Sequence, residues 1–229
     1  MQKKSLYFVG LVILLFVFNS CSSHPEENLL KGYFHALSMN DNTTLSTMAL
    51  EPAFIDADHW KITEVGEEEI KPATLPDLNQ KELDLKKRVE ASVGTTLDAR
   101  DKLDNAKFEL ESARTSAARR AARRKVDAEQ VIYDEVYATH KELQKEYNDA
   151  KTAAAREEEV SLFSLGAGEI PNIRSLTGNV HTKNVSIDIT DKAGVKSKYQ
   201  LDLMMYVLDD EAMGITRRGR WIIVKFEQF

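Results

Sequence analysis

The sequence predicts an α+β fold, helices on an antiparallel sheet, interrupted by an inserted antiparallel helical hairpin of coiled-coil type. Three observations predict it. A stretch near residue 30 spaces its apolar side chains by three and four, as one face of a helix requires. Four later runs, 59–65, 180–189, 198–208 and 220–226, concentrate or alternate β-forming residues. Between the first and second of these, residues 78–160 hold no proline and one glycine, Gly94, amid Ala, Glu, Lys, Arg and Leu. Such a composition favours helix at nearly every position.

Taken in order, residues 1–20 have the layout of a secretory signal, with Lys3 and Lys4 ahead of an uncharged run. About 13 apolar positions fall short of the ~20 that a spanning helix needs. The run ends at the chain's one cysteine, in Phe18-Asn19-Ser20-Cys21. This resembles the lipobox of bacterial lipoproteins, where a small residue precedes the cysteine. The resemblance implies that Cys21 carries a diacylglycerol and an N-acyl chain and becomes the first residue of the mature protein, a membrane anchor made stable by having more than one chain. Ser22 resembles the residue that sends enteric lipoproteins to the outer membrane, which implies its periplasmic side. The rival is a free cysteine beside an uncleaved anchor. Residues 21–26 read as a tether and 27–77 as the first part of the α+β domain.

Within that part, Leu29, Leu30, Tyr33, Phe34 and Leu37 draw the apolar stripe of a helix over 27–39, which Asn40-Asp41-Asn42 ends. A short helix is expected over 43–50, barred from continuing by Pro52. Trp60, Ile62 and Val65 make a strand over 59–65, and a loop with Pro72 and Pro76 follows.

The insertion, 78–165, carries two seams. Leu85, Val89, Ser92, Thr96, Ala99, Leu103, Ala106, Leu110, Ala113 and Ala117 alternate steps of four and three, the pattern of a coiled coil. A second set, Val126, Tyr133, Val136, His140, Leu143, Tyr147, Ala150 and Ala154, keeps the alternation one position out of phase, so the seam slips between ~118 and ~126. Two helices folded back on each other explain the slip, with arms of about 60 Å at 1.5 Å per residue. One continuous rod is the rival, because local propensity offers no turn at 113–125. The hairpin is favoured because strands resume afterwards, and an insertion has to return near where it left.

From 166 the domain resumes. Val185, Ile187 and Ile189 alternate with polar residues; Tyr199, Leu201, Leu203 and Met205 face away from Met204, Tyr206 and Leu208, as in a central strand covered on both sides. Asp191-Lys192-Ala193-Gly194 is the expected turn between them, and Ile222, Val224 and Phe226 close a three-strand meander with helices on one face. With the opening Leu29-Leu30-Lys31-Gly32-Tyr33-Phe34-His35-Ala36-Leu37 and the closing Gly219-Arg220-Trp221-Ile222-Ile223-Val224, the chain resembles a nuclear transport factor 2-like or cystatin-like roll over 27–66 and 176–229. The resemblance implies a curled sheet that encloses a pocket in many relatives, and fold alone does not give function.

Without residues 1–20 the chain has 209 residues, 29 Lys plus Arg against 37 Asp plus Glu, and a net charge near −8. Bulk nucleic-acid binding does not fit that balance. His24, His35, His59, His140 and His181 show no metal-ligand spacing, so no metal is expected, nor any cofactor beyond the lipid on Cys21. Phosphate loops and nucleophile elbows are absent, and no catalytic residue is nominated. The acid runs Glu67-Glu68-Glu69 and Glu157-Glu158-Glu159 read as solvated faces. One constellation stands out: Arg114, Arg119, Arg120, Arg123, Arg124 and Lys125, six cations within twelve residues of an acidic chain. At a hairpin tip they suit phosphate or carboxylate groups of an anionic envelope component or a partner protein. The expectation is therefore a non-enzymatic, lipid-anchored interaction or scaffolding module, with self-association through the helices also compatible with the seam. The alternative is a small-ligand-binding or enzymatic roll lined by Trp60, Tyr199, Met205 and Trp221, with the helices as lid or dimerisation element.

Overall fold

The structure, a computed structural model, describes residues 24–229, so the expected signal segment, residues 1–20, and Cys21 lie outside the described residues. Helix α1 spans Pro25–Ser38 and α2 spans Asn42–Met48; strands β1, Ala57–Val65, and β2, Glu69–Pro72, follow. The hairpin comprises α3, Leu75–Ser112, and α4, Ser116–Leu165. A 3₁₀ turn at Ile173–Ser175 leads to β3, Thr177–Asp191, β4, Lys196–Asp210, β5, Ile215–Arg218, and β6, Ile222–Gln228. The fold is α+β, with an antiparallel, curled, six-stranded sheet and a long helical insertion.

Two fifteen-residue strands organise the sheet. β3 pairs with β4 along its length, and each shares its other edge between two shorter strands. β1 and β2 line successive stretches of β3, while β6 and β5 line successive stretches of β4. The Asp191–Gly194 turn forms as expected: Asp191 Oδ1 accepts from the amides of Ala193 and Val195, and Gly194 takes the positive φ of 82°.

The sheet is covered on both faces, not one. On the first, Leu30, Tyr33 and Phe34 of α1 and Leu45 of α2 bury against Val185, Ile187, Ile189, Leu201, Leu203 and Ile223. Burying side chains of this size contributes about 1.5–3 kcal/mol each. Pro25 starts α1 two residues earlier than expected, so Glu26, assigned to the tether, is buried instead. The Tyr33 hydroxyl donates to the Ala53 carbonyl and accepts from the Ala53 amide, pinning the chain beyond α2. On the second face, Tyr206 and Leu208 meet Leu75, Ile170 and Ile173 and the last turns of α4. The sequence placed helices on one face because the apolar residues at 160–173 look like the end of an excursion rather than a lid on the sheet.

Both seams of the hairpin form except at the end of the first, where Ala113 falls in the turn and Ala117, expected on that seam, is exposed at the start of α4. Leu85, Ala99, Leu103, Ala106, Ala150 and Ala154 are buried between α3 and α4, and Ser92 Oγ lies 2.8 Å from His140 Nδ1, which gives that seam histidine a polar partner. The reversal falls at 113–115, earlier than the phase slip suggested. Thr115 supplies the missing turn chemistry, its hydroxyl accepting from the Ala118 amide at 3.1 Å. Among the described residues, no helix is long and apolar enough to cross a membrane.

The root of the hairpin holds its end against the sheet by close approach. Ser164 Oγ donates to the Arg220 carbonyl and accepts from the Tyr206 amide, and the Ser164 carbonyl accepts from the Arg220 amide at 2.8 Å. A β-carbon on Gly219 would stand 2.4 Å from Ser164 Oγ and 2.9 Å from its carbonyl oxygen. Arg174 joins both helices, donating to Glu82 at 2.7 Å and Glu158 at 2.8 Å, and Glu157 accepts from Tyr206 Oη at 2.8 Å. Glu157 and Glu158 of the acid run expected to be a solvated face thus help build the root, while Glu159 is exposed. Gly219→Ala is expected to destabilise the protein by about 1–3 kcal/mol, as overpacking does. Gly168→Ala, whose β-carbon meets nothing within 4 Å, is expected to be near neutral. Urea midpoints at unchanged slope read the difference; equal midpoints would refute the close-approach account.

Candidate functional site

The far end of the hairpin gathers the six predicted cations. Arg114 sits in the turn; Arg119, Arg120, Arg123, Arg124 and Lys125 occupy the first turns of α4, and all six are exposed. Lys125 pairs with Glu109 of α3 at 2.6 Å, and Arg119 Nε donates to the Ala113 carbonyl at 3.0 Å. Among the described residues none of the five arginines has an acidic partner within ion-pair distance. At 100° per residue, Arg120 and Arg124 stand one turn apart on the side away from α3, and Arg119 and Arg123 stand one turn apart on the adjoining flank.

This arrangement opposes the usual electrostatics of a helix. The N-terminus of α4 carries the positive end of the helix dipole and has no acid in its first turn. Guanidiniums clustered there repel it and one another. An anion placed among them relieves both, and the planar fork of each arginine can grip a phosphate or carboxylate by two hydrogen bonds.

Of the four residues expected to line a ligand cavity, Trp60, Tyr199 and Trp221 pack against one apolar cluster under α1 and α2, and Met205 lies outside that cluster. Trp60 stacks on Phe34 at 4.9 Å and lines a pocket at the start of α1. Tyr199 packs edge-on against Phe226 and donates to Gln228 Oε1, while Met205 is buried. Trp221 lies under Lys183, whose ammonium is 5.4 Å from the ring centroid.

Sequence reasoning missed a polar cluster on this side of the sheet. Lys183 lies 3.4 Å from Glu26 and 3.7 Å from Glu68, and His181 Nδ1 lies 2.6 Å from Glu68 Oε1. His181 and Lys183 share a face of β3 by their spacing of two, which is the signal that was available. Glu68, read as part of a solvated acid run, is instead held at the cluster. The hydrogen bond from His181, with the nearby Lys183 charge, lowers its carboxyl pKa below the ordinary range.

No protein-family model, curated protein or solved structure matches the chain.

Because the folded-state pKa of Glu68 is depressed, its contribution is present above the unfolded value of about 4.3 and is lost as pH falls through the lower folded value. The urea midpoint of the native protein is therefore expected to drop on acidification below about pH 4.3 more steeply than that of Glu68→Gln. Parallel acid limbs for the two proteins would show that the cluster does not stabilise the fold.

Proposed function

We propose that the chain is a lipid-anchored cell-envelope protein, held through acylated Cys21, that acts as a non-enzymatic interaction module by presenting the cationic tip of its helical arm to an anionic envelope component. The observation that carries this reading is the set of exposed arginines without acidic partners at the end of an arm of about 57 Å, the length of the 38 residues of α3 at 1.5 Å each. A solvated tip serving only solubility needs no such concentration of one sign in a protein that is otherwise acidic. The rigid root supports the same reading, since an arm that couples position to contact has to be fixed at its base. The signal segment and the cysteine that ends it support the anchor, and Ser22 supports the periplasmic side of the outer membrane. The lipobox-like segment and the order of helices and strands make this a bacterial lipoprotein with a nuclear transport factor 2-like or cystatin-like roll, in our proposal.

Self-association is a second reading, favoured by Val93, Leu97 and Phe108, which are exposed on one flank of α3. Sedimentation of the protein at several concentrations separates it from the first: a single monomeric species excludes it.

Photo-crosslinking in cells from position 121 is expected to capture a component that position 151, near the root, does not. Replacing Arg119, Arg120, Arg123 and Arg124 with Gln, which keeps helix propensity, is expected to weaken that capture about tenfold or more, since exposed charge pairs contribute about 0.2–1 kcal/mol each. High salt is expected to do the same. Undiminished capture in the quadruple variant would refute a contact made by the arginines.

A further inference from the structure

The helical arm has two flanks beside its seam, and they are used differently. Along one, Arg88 of α3 pairs with Glu146 of α4, and Glu109 pairs with Lys125. Among the described residues no ion pair joins the two helices along the other. The four large apolar side chains of α3 that stand exposed, Leu83, Val93, Leu97 and Phe108, lie on that second flank or at its outer edge. Lys86 and Glu90, exposed on the same flank, have no ion-pair partner among the described residues. Arg100 and Asp104, also on it, share one loose contact of 3.7 Å.

These side chains are arranged symmetrically about the level of residue 95. Val93 and Leu97 lie two positions to either side, Glu90 and Arg100 five, Lys86 and Asp104 nine, and Leu83 and Phe108 twelve and thirteen. A two-fold contact between antiparallel copies sets each residue against its mirror position in the second copy. Here that sets apolar on apolar and acid on base at each of the four pairs. A slip of one turn in either direction destroys the match, because it brings Glu90 against Asp104 or Lys86 against Arg100, and facing like charges repel. The matching flank of α4 repeats the pattern: Tyr137 is exposed, and Asp134 and Lys141 stand to either side of a midpoint between 137 and 138. Ser92 beside His140 and Arg88 beside Glu146 put residue 95 of α3 level with about residue 138 of α4. The two midpoints coincide, as a single two-fold axis requires.

We infer that this flank docks a second copy of the chain, antiparallel, so that the two arms form a four-helix bundle. The inference rests on the self-association reading and gives it a face, a register and a consequence, since the two globular bases then stand at opposite ends of one rod. The paired stretch, 83–108, is about 39 Å long and two helices are about 20 Å across, so about 800 Å² of each copy is covered, the size of a standard specific interface. The tip arginines lie beyond that stretch, and their contact does not depend on it.

The test is sedimentation equilibrium of the full chain in density-matched nonionic detergent at several protein concentrations, with charge reversals on the flank. The native chain is expected to dimerise. Glu90→Arg or Arg100→Glu alone is expected to weaken the dimer about tenfold or more, because each substitution occurs twice in a symmetric interface and turns attraction into repulsion. Glu90→Arg combined with Arg100→Glu restores opposite charges and is expected to recover affinity to within about threefold of the native chain. Within one chain the two residues stand about 15 Å apart along α3, too far to pair, so rescue reads a contact between copies. The register has a second readout. With Cys21→Ser in every chain, a mixture of Val93→Cys and Leu97→Cys chains is expected to link by a disulfide on oxidation, and Val93→Cys alone far more slowly. Monomer at every concentration overturns the proposal together with the self-association reading. A dimer indifferent to Glu90→Arg, a double variant no tighter than the single ones, or Val93→Cys alone linking as fast as the mixture overturns this interface and leaves self-association to another face.

Discussion

The approach of Ser164 to the loop between β5 and β6 is the contact on which the geometry of the molecule depends. Its hydroxyl and carbonyl together engage three backbone groups, on Tyr206 and Arg220, and the contact is possible only because Gly219 has no side chain. A fifty-residue helix ends there. Any play at such a joint is magnified along the arm: a 10° change at the base displaces the tip by about 13 Å over a helix of this length. Arg174 adds a second constraint by bridging α3 to α4 through Glu82 and Glu158, so that the two helices leave the sheet as one unit. Burial, with the Glu157 carboxylate beside it, holds the Tyr206 hydroxyl far above its ordinary pKa, and this keeps the root's hydrogen-bond donor in place.

The tip and the α1 pocket share one property despite their separation. Each departs from what stability alone favours: cations crowd the positive end of a helix in one, and the carboxylate of Glu26 is buried between His24 and Lys183 in the other. Natural sequences tend to concentrate such departures where something binds. Much of the rest keeps to the rules, though Glu129 Oε2, Asp188 Oδ1 and Arg217 Nε are buried without a hydrogen-bond partner. The seams alternate as coiled-coil packing demands, the long strands bury alternate residues, and α2, β3–β4 and α4 are capped or turned by Asp41, Asp191 and Thr115.

The hairpin and the two long strands were legible because their signals are periodic and extended. Leu85, Leu103 and Ala106 on one helix, and Ala150 and Ala154 on the other, could be placed on seams from spacing alone. The two short strands were not. Glu69-Ile70-Lys71-Pro72 reads as a loop, being half charged and ending in proline, and it becomes β2 only because the first part of β3 offers an unpaired edge. β5 joins β4 in the same way. Acid runs misled for a related reason. Glu68, Glu157 and Glu158 look solvated in sequence, and each partner that gives it a role comes from more than fifteen residues away.

The sequence by itself determined the class of fold, the existence of two packed helices between strands, and the cluster of six cations at 114–125, because these follow from local composition and period. Only the tertiary structure decided where the reversal falls, that the hairpin's base lids a second face of the sheet, and that Glu26 lies buried against Lys183 rather than in a tether. Those facts depend on which distant backbone and side-chain groups meet. No periodicity along the chain encodes such meetings, because each is fixed by the sum of the packing that surrounds it.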